Sequence, residues 1–463
     1  MNEQLPLCLV SLLTRKPNRL GCLLPLCLVS LLTRKPNSSR GSGESARAVS
    51  VAGTRLALVR RRLHAALGSL LGVFTRVLSF AVSHAFFTPG AEPPMRHSRT
   101  AYKPPTWAQS LVPPLHGRVP LAHLPTPVVP WACPELEALD VSWWIKRDDM
   151  SGVELSGNKA RKLEFLMAEA VATGCDSVCT IGGLQSNHCR ATAAAARLVG
   201  LEPHLTVLVR DKEIDDEIGL RGNLMIERML GAKMHLCAGS DYLRYGGNLG
   251  AMDKLNAAAA AELTHQGRKP YIVPVGGTTP VGTWGYLAAV EELQQQQQQQ
   301  QAPAHFDHIV VACGSGGTAA GLALGCRLAG MGSALHAVNV QHSPEAYYEL
   351  IGREAAQLGA TPERDGTVRE WLSIINGGGL GYGVTRAAEL AMIARVGQAS
   401  GVLLDHVYTG KALYHFCEHA RANPDAFRGK RILFWHTGGL PGLQAKEADL
   451  LGLVPPVERL RPP

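Results

Sequence analysis

The sequence predicts an α/β protein built on parallel sheet with helices on both faces. Two observations carry this reading. Between Ser177 and Cys237, short apolar runs alternate with helical patterns in βαβαβ order. Further on, His308–Ala312 reads as a strand, Cys313–Thr318 (CGSGGT) as its loop and Thr318–Leu328 as a small-residue helix. At 463 residues the chain is long enough for two domains.

The amino-terminal stretch stands apart in charge. The chain has 46 Lys/Arg and 38 Asp/Glu, a formal net charge of +8. Thirteen basic residues and only three acids (Glu3, Glu44, Glu92) precede or include Arg96, leaving 33 basic and 35 acidic residues beyond it. The body is therefore close to neutral, with no nucleic-acid surface expected. LPLCLVSLLTRKPN occurs twice, at Leu5–Asn18 and Leu24–Asn37, too few copies for a solenoid and too short to span a bilayer. From Ser45 to Phe87 the chain is rich in Arg, Ala, Ser and Leu and carries no acid. That composition suits an organellar transit peptide, mitochondrial rather than plastid, with a membrane-surface helix as the alternative. Residues 1–95 are thus expected to be transit peptide and linker. The eleven cysteines form no CxxC pair. They read as thiols in a reducing compartment, with no disulfide framework and no metal site.

The proline-rich run Tyr102–Trp131 is expected to be irregular, and Val141–Lys146 (VSWWIK) to be a strand. After Ser156–Gly157–Asn158 comes Lys159, followed by Leu163, Leu166, Met167 and Ala170 at one apolar helical face and Gly174 as a stop. Ser177–Ile181 reads as a strand, with Gly182, Gly183, Leu184 and Gln185 turning into a helix from Ser186 to Leu198. His204–Val209, Leu220–Leu230 and Met234–Cys237 continue as strand, helix and strand. Pro270–Val275 starts a further strand and Thr279–Leu293 a helix. Gln294–Gln301, uninterrupted glutamine, reads as an insertion without chemistry between helix and strand.

Lys159 stands at a helix start with Arg161 and Lys162 beside it. In a partly closed site such a lysine has a lowered pKa and acts as a neutral amine, although a plain basic helix start looks the same in isolation. The loop Gly314–Thr318 (GSGGT) offers backbone N–H groups and a helix N-terminus to a phosphate. There is no GxGxxG for a dinucleotide and no GKS or GKT for a triphosphate. A reactive lysine, a small phosphate cradle and no nucleoside motif together point to pyridoxal 5′-phosphate, with Lys159 as its Schiff-base lysine and the loop at its phosphate.

IKRDD, GNKARKLEFL, QSNH, PVGGT, GSGGT, GYG, VYTGK and HTGG stand in one order between Ile145 and Gly439. The chain resembles the D-cysteine desulfhydrase and aminocyclopropane-carboxylate deaminase family over roughly Pro104–Gly442. The resemblance implies fold type II among pyridoxal-phosphate enzymes (tryptophan-synthase-β-like), with the cofactor in the cleft between two αβ domains. A small domain, 161–272, would be inserted into a large one, 96–160 and 273–463. Homodimers are implied. Residue roles carry over as expectations. Lys159 matches the Schiff-base lysine, and Lys162 lies near the phosphate held by Gly314, Ser315, Gly316, Gly317 and Thr318. Ser186 faces the substrate, Asn187 bonds the cofactor's phenolic oxygen, and His188 shapes the pocket, unless it is a satisfied core histidine. Tyr382 and Tyr408 face the reacting carbon and the substrate, with simple packing the bland alternative for Tyr382. His406 stands where the family has proline.

Two positions separate the family's branches. Where the deaminase branch has an acid after the tyrosine of VYxGK and a leucine in HxGG, this chain has Thr409 and Thr437. A hydroxyl at the pyridine nitrogen gives a weaker electron sink than a protonated ring. That suits a substrate with a good β-leaving group, so the expected reaction is β-elimination of D-cysteine to pyruvate, hydrogen sulfide and ammonia. Lys159 would take the Cα proton, and Ser186 and Tyr408 would hold the carboxylate or protonate the leaving group. The competing readings are aminocyclopropane-carboxylate deaminase, a broader L-/D-cysteine lyase, and a non-catalytic pyridoxal-phosphate-binding protein.

Overall fold

The computed structural model of the chain describes residues 97–211, 218–457 and 459–460. The duplicated segment, the arginine-rich run and the linker fall outside the described residues. Ten strands are present among the described residues: β1 (Val128–Pro130), β2 (Ser142–Arg147), β3 (Ser177–Gly183), β4 (Glu202–Val209), β5 (Lys233–Ala238), β6 (Pro270–Ile272), β7 (His308–Cys313), β8 (Ala334–Asn339), β9 (Leu372–Asn376) and β10 (Arg431–His436). They make two sheets. One has six strands in the order β1-β2-β10-β7-β8-β9, parallel except for β1; the other has four parallel strands in the order β5-β4-β3-β6.

The sheets are covered on both faces, so their inner strands are apolar almost throughout. In β10, Ile432, Leu433, Phe434 and Trp435 are all buried. Alternate residues serve opposite layers: Leu433 and Trp435 join the core of Trp284, Tyr286 and Leu322, while Ile432 and Phe434 join Leu413 and Phe416.

Six helices matter for the site: α1 (Lys159–Ala172), α2 (Asn187–Leu198), α3 (Gly222–Met229), α4 (Pro280–Gln298), α5 (Gly317–Leu328) and α6 (Thr409–Ala422). Where α1 crosses α4, a Cβ on Gly285 would lie 2.5 Å from the Arg161 carbonyl carbon and 2.7 Å from the Lys162 nitrogen. Glycine there lets the two backbones touch. Beneath that crossing, Arg161 donates to Asp148 (Nε–Oδ2 3.0 Å, Nη2–Oδ1 2.8 Å), and Tyr286 and Trp435 each donate to Asp148 Oδ2 at 2.7 Å. Burial alone would raise the Asp148 pKa; Arg161, Lys146 and these bonds outweigh it and keep the carboxylate charged. The start of α1 is therefore held rigidly against the large sheet.

Two expectations change. The strand from Pro270 ends at Ile272, and Gly276 (φ 69°) and Gly277 (φ 62°) form a turn. The glutamine tract is not a loop insertion at its start, because α4 runs on through Gln298. Gln294 accepts from Trp107 Nε1 (3.0 Å) and donates to Ala329 O (3.1 Å). Buried Gln296 accepts from Lys146 Nζ (2.7 Å) and donates to Thr126 O (2.9 Å). Glutamine is a good helix former, and these partners give the first residues of the tract fixed places. No helix among the described residues is long and apolar enough to cross a membrane.

Candidate active site

A cavity of about 350 Å³ opens at the carboxyl ends of β3, β7 and β10, where open α/β sheets place their ligands. Lys159 enters it from the first position of α1. The preceding residue pins that helix end: Asn158 N–H donates to Thr437 O (3.1 Å), and its Nδ2 donates to Thr318 Oγ1 (2.9 Å). Lys159 Nζ donates to Gly276 O at 3.3 Å, and Lys162 Nζ to the same carbonyl at 3.1 Å. Burial lowers the Lys159 pKa to about 8. Burial, followed by the Lys159 charge, lowers Lys162 well below the usual lysine range.

The loop after β7 lies opposite. Gly314, Ser315, Gly316 and Thr318 line the cavity; Gly317 does not, but adjoins Lys162. A Cβ on Gly314 would meet the Tyr408 ring at 2.8 Å, and one on Gly317 would meet Lys162 Nζ and Thr278 Oγ1 at 2.8 Å. Thr278 donates to Ser315 O at 3.1 Å and shares a 2.8 Å bond with Ser315 Oγ, tying the turn after β6 to this loop. The first turn of α5 leaves backbone N–H groups without intrahelical acceptors, and a buried lysine stands beside them. A phosphate fits that donor set.

Ser186 caps α2, accepting from Cys189 N–H at 3.1 Å, and lines the cavity with Asn187 and His188. His188 Nε2 bonds Thr180 Oγ1 at 2.8 Å. Burial and the two lysines push its pKa well down, so the ring is neutral. Across the cavity the Tyr382 and Tyr408 hydroxyls lie 2.7 Å apart. Burial raises the Tyr408 pKa, so this hydroxyl keeps its proton. Burial likewise pushes the Cys313 thiol at the cavity wall up to about 12.

A family model described as pyridoxal-phosphate dependent enzyme matches residues 119–438. The chain belongs to that family. Its cofactor is pyridoxal phosphate, and the donor set around Lys159 and Gly314–Thr318 fits that group. The chain is 42% identical over 357 residues to the bifunctional D-cysteine desulfhydrase/1-aminocyclopropane-1-carboxylate deaminase, mitochondrial, of Arabidopsis thaliana, covering 77% of this chain and 86% of the relative. It is 36% identical over 337 residues to a putative 1-aminocyclopropane-1-carboxylate deaminase of Pyrococcus horikoshii, covering 71% and 95%. A crystal structure of an ACC deaminase homologue matches with a TM-score of 0.61 at 34% identity, covering 73% of this chain and 96% of that one. The architecture is that of a fold type II pyridoxal-phosphate enzyme.

Within this pyridoxal-phosphate enzyme, Thr437 lines the cavity but Thr409 does not. Thr409 is fully buried; its hydroxyl donates to Asp405 Oδ1 (2.7 Å) and accepts from Asp405 N–H (2.8 Å). Its one proton is committed to Asp405 and it lies off the cavity wall, against the expectation that it meets the ring nitrogen. Its backbone N–H and those of Val407 and Tyr408 also donate to the Asp405 carboxylate, so Thr409 helps hold the turn that presents Tyr408. The structure adds Asn158, Gly276, Tyr242, Met252 and Gln341 to the cavity wall. Gly276 stood in the PVGGT motif without a role. Tyr242, Met252 and Gln341 carried no motif.

Proposed function

We propose that the chain is a pyridoxal-phosphate-dependent lyase that eliminates sulfide from D-cysteine. One water is consumed, and pyruvate, hydrogen sulfide and ammonia are released. The observation that carries the reading is Lys159, whose amine is depressed to about 8 beside a glycine cradle. When bound, pyridoxal phosphate supplies the electron sink for cleavage at Cα. The chain's own groups then divide the work. Lys162 and the Gly314–Thr318 loop hold the phosphate. Lys159 Nζ, neutral for part of the time near neutral pH, takes the Cα proton. Ser186 Oγ faces the substrate. Tyr408 keeps its proton and, hydrogen-bonded to Tyr382, donates it to the departing sulfur. Asn187 meets the phenolic oxygen, His188 shapes the pocket as a neutral ring, and Thr437 meets the pyridine edge.

A second reading has a specific observation behind it. With Thr409 turned to Asp405, only Thr437 of the two branch positions faces the cavity, and the Arabidopsis thaliana relative is named for both activities. Ring-opening deamination of 1-aminocyclopropane-1-carboxylate is therefore the alternative. The test is turnover by cofactor-loaded protein of D-cysteine, L-cysteine and the cyclopropane acid. Equal sulfide and pyruvate from D-cysteine at the highest kcat/KM supports the proposal. Faster ring opening, or faster L-cysteine turnover, overturns it.

Residues 161–272 serve as the small domain in this reading and the catalytic unit is a homodimer, which sedimentation of the loaded protein tests. The mitochondrion is the proposed compartment. The acid-free arginine-rich run supports it, as does the mitochondrial designation of the Arabidopsis thaliana relative. Mass spectrometry of the native protein should find a terminus near Arg96; Met1 or Asn2 would refute this.

A further inference from the structure

Behind the cavity wall, the first turn of α3 is bolted to the turn before α2. Asn223 is completely buried and fully bonded. Its backbone N–H donates to Gln185 Oε1 (3.0 Å), and its Nδ2 donates to Gln185 O and to Asn187 Oδ1, both at 2.9 Å. Its Oδ1 accepts from Arg190 Nε at 2.7 Å. Arg190 is buried too and donates its other nitrogens to Glu154 O and, at 2.8 Å, to Ser156 O.

These bonds have only one consistent polarity. An arginine side chain donates and never accepts. Burial lowers the Arg190 pKa to about 10, which still leaves it a cation near neutral pH. The Asn223 atom facing Arg190 must therefore be oxygen, and the atom facing Asn187 must be nitrogen. Asn187 must in turn present its oxygen to Asn223, since the reverse would set two donors 2.9 Å apart. That leaves Asn187 Nδ2, a donor, for the cavity it lines.

We infer that Asn223, which does not touch the cavity, is a positioning residue: it relays the fixed polarity of Arg190 to Asn187, so that Asn187 donates to the phenolic oxygen of the cofactor. The inference rests on the Asn187 role proposed above. A donor at that oxygen draws charge onto it and lowers the proton affinity of the Lys159 nitrogen joined to the cofactor beside it. Asn223→Asp keeps the shape and still accepts from Arg190, but turns an oxygen toward both Asn187 and the Gln185 carbonyl, where wild type has a donor. Asn187 must then flip and show an acceptor to the cavity.

The experiment is a pH titration of the visible band of bound pyridoxal phosphate in wild type, Asn223→Asp, Asn187→Ala and the double variant. The midpoint should rise by about one pH unit or more in both single variants, a tenfold gain in proton affinity. In the Asn187→Ala background, Asn223→Asp should move it by no more than about 0.3, because the amide that would flip is gone. If Asn223→Asp still shifts the midpoint there, it acts by its added charge and the inference is overturned. If Asn187→Ala shifts it and Asn223→Asp does not, the relay is overturned while the Asn187 role stands. If neither shifts it, the Asn187 role itself falls, and the inference with it. Should Asn223→Asp fail to load cofactor, Asn223→Ala, which frees Asn187 without adding charge, is titrated instead. A midpoint within about 0.3 of wild type would then overturn the inference.

Discussion

Replacing Thr409 with valine tests whether this residue acts on the turn or on the cofactor. Valine has nearly the same shape, so the change removes little besides the hydroxyl. That hydroxyl makes two bonds, to Asp405 Oδ1 at 2.7 Å and from Asp405 N–H at 2.8 Å, where Thr409 is 0% exposed and Asp405 1%. Each bond contributes about 1 kcal/mol net, and leaving the buried Asp405 N–H without an acceptor raises the cost, for roughly 2–4 kcal/mol in all. Thermal unfolding of the loaded protein should fall by about 3–5 °C. The visible band of the bound cofactor should keep its position and midpoint, since no cofactor contact is lost. The elimination rate should fall as far as Tyr408 loosens, its own N–H being held by Asp405 Oδ2 at 3.0 Å. A variant with unchanged unfolding temperature and an altered cofactor spectrum would refute this reasoning and return Thr409 to the ring nitrogen.

Gly276→Ala forces a side chain onto a residue at φ 69°, with its Cβ 2.7 Å from Ser315 Cβ and 3.3 Å from Lys159 Nζ. Backbone strain of about 1–2 kcal/mol and overpacking of about 1–3 kcal/mol should spread the cradle, and equilibrium titration should show cofactor affinity at least about tenfold weaker. In cofactor-free protein the Lys159 amine must lose its proton before it can capture pyridoxal phosphate. With its pKa lowered to about 8 by burial, the capture rate should rise with pH through a midpoint near 8 and level off about one unit above it; a rise continuing undiminished past pH 10 would contradict the lowered value. Gln296→Leu leaves Lys146 and Thr126 O short of a partner and should cost about 1–3 kcal/mol in denaturant unfolding, whereas Gln298→Leu, at an exposed position, should stay within about 0.5 kcal/mol.

Some inner strands were legible in the sequence because burial on both faces makes them apolar without interruption. β4 and β7 fall on such runs, with one end differing by a residue or two, whereas β8 and β10 were not read as strands. The glycine loop was legible because a strand, a glycine cluster and a small-residue helix follow one another locally. Contacts between distant segments were not. Gly276 lies 117 residues from the lysine it faces, and nothing local in PVGGT announces that meeting. The glutamine tract misled because its composition is that of an insertion, while its burial depends on Lys146 and Thr126, far away in the chain. For Thr409 a local signal was present: an aspartate four residues earlier can bond both the hydroxyl and the N–H of a threonine at a helix start. Asn223 carried no signal, since its meaning comes only from Arg190 and Asn187 closing around it.

The central claim is that Lys159 carries the cofactor, and borohydride reduction followed by peptide mapping tests it most directly. Reduction should bleach the yellow protein and leave the pyridoxyl label on Lys159 alone. A label on Lys162, Lys411 or any other lysine, with Lys159 unmodified, would contradict the account.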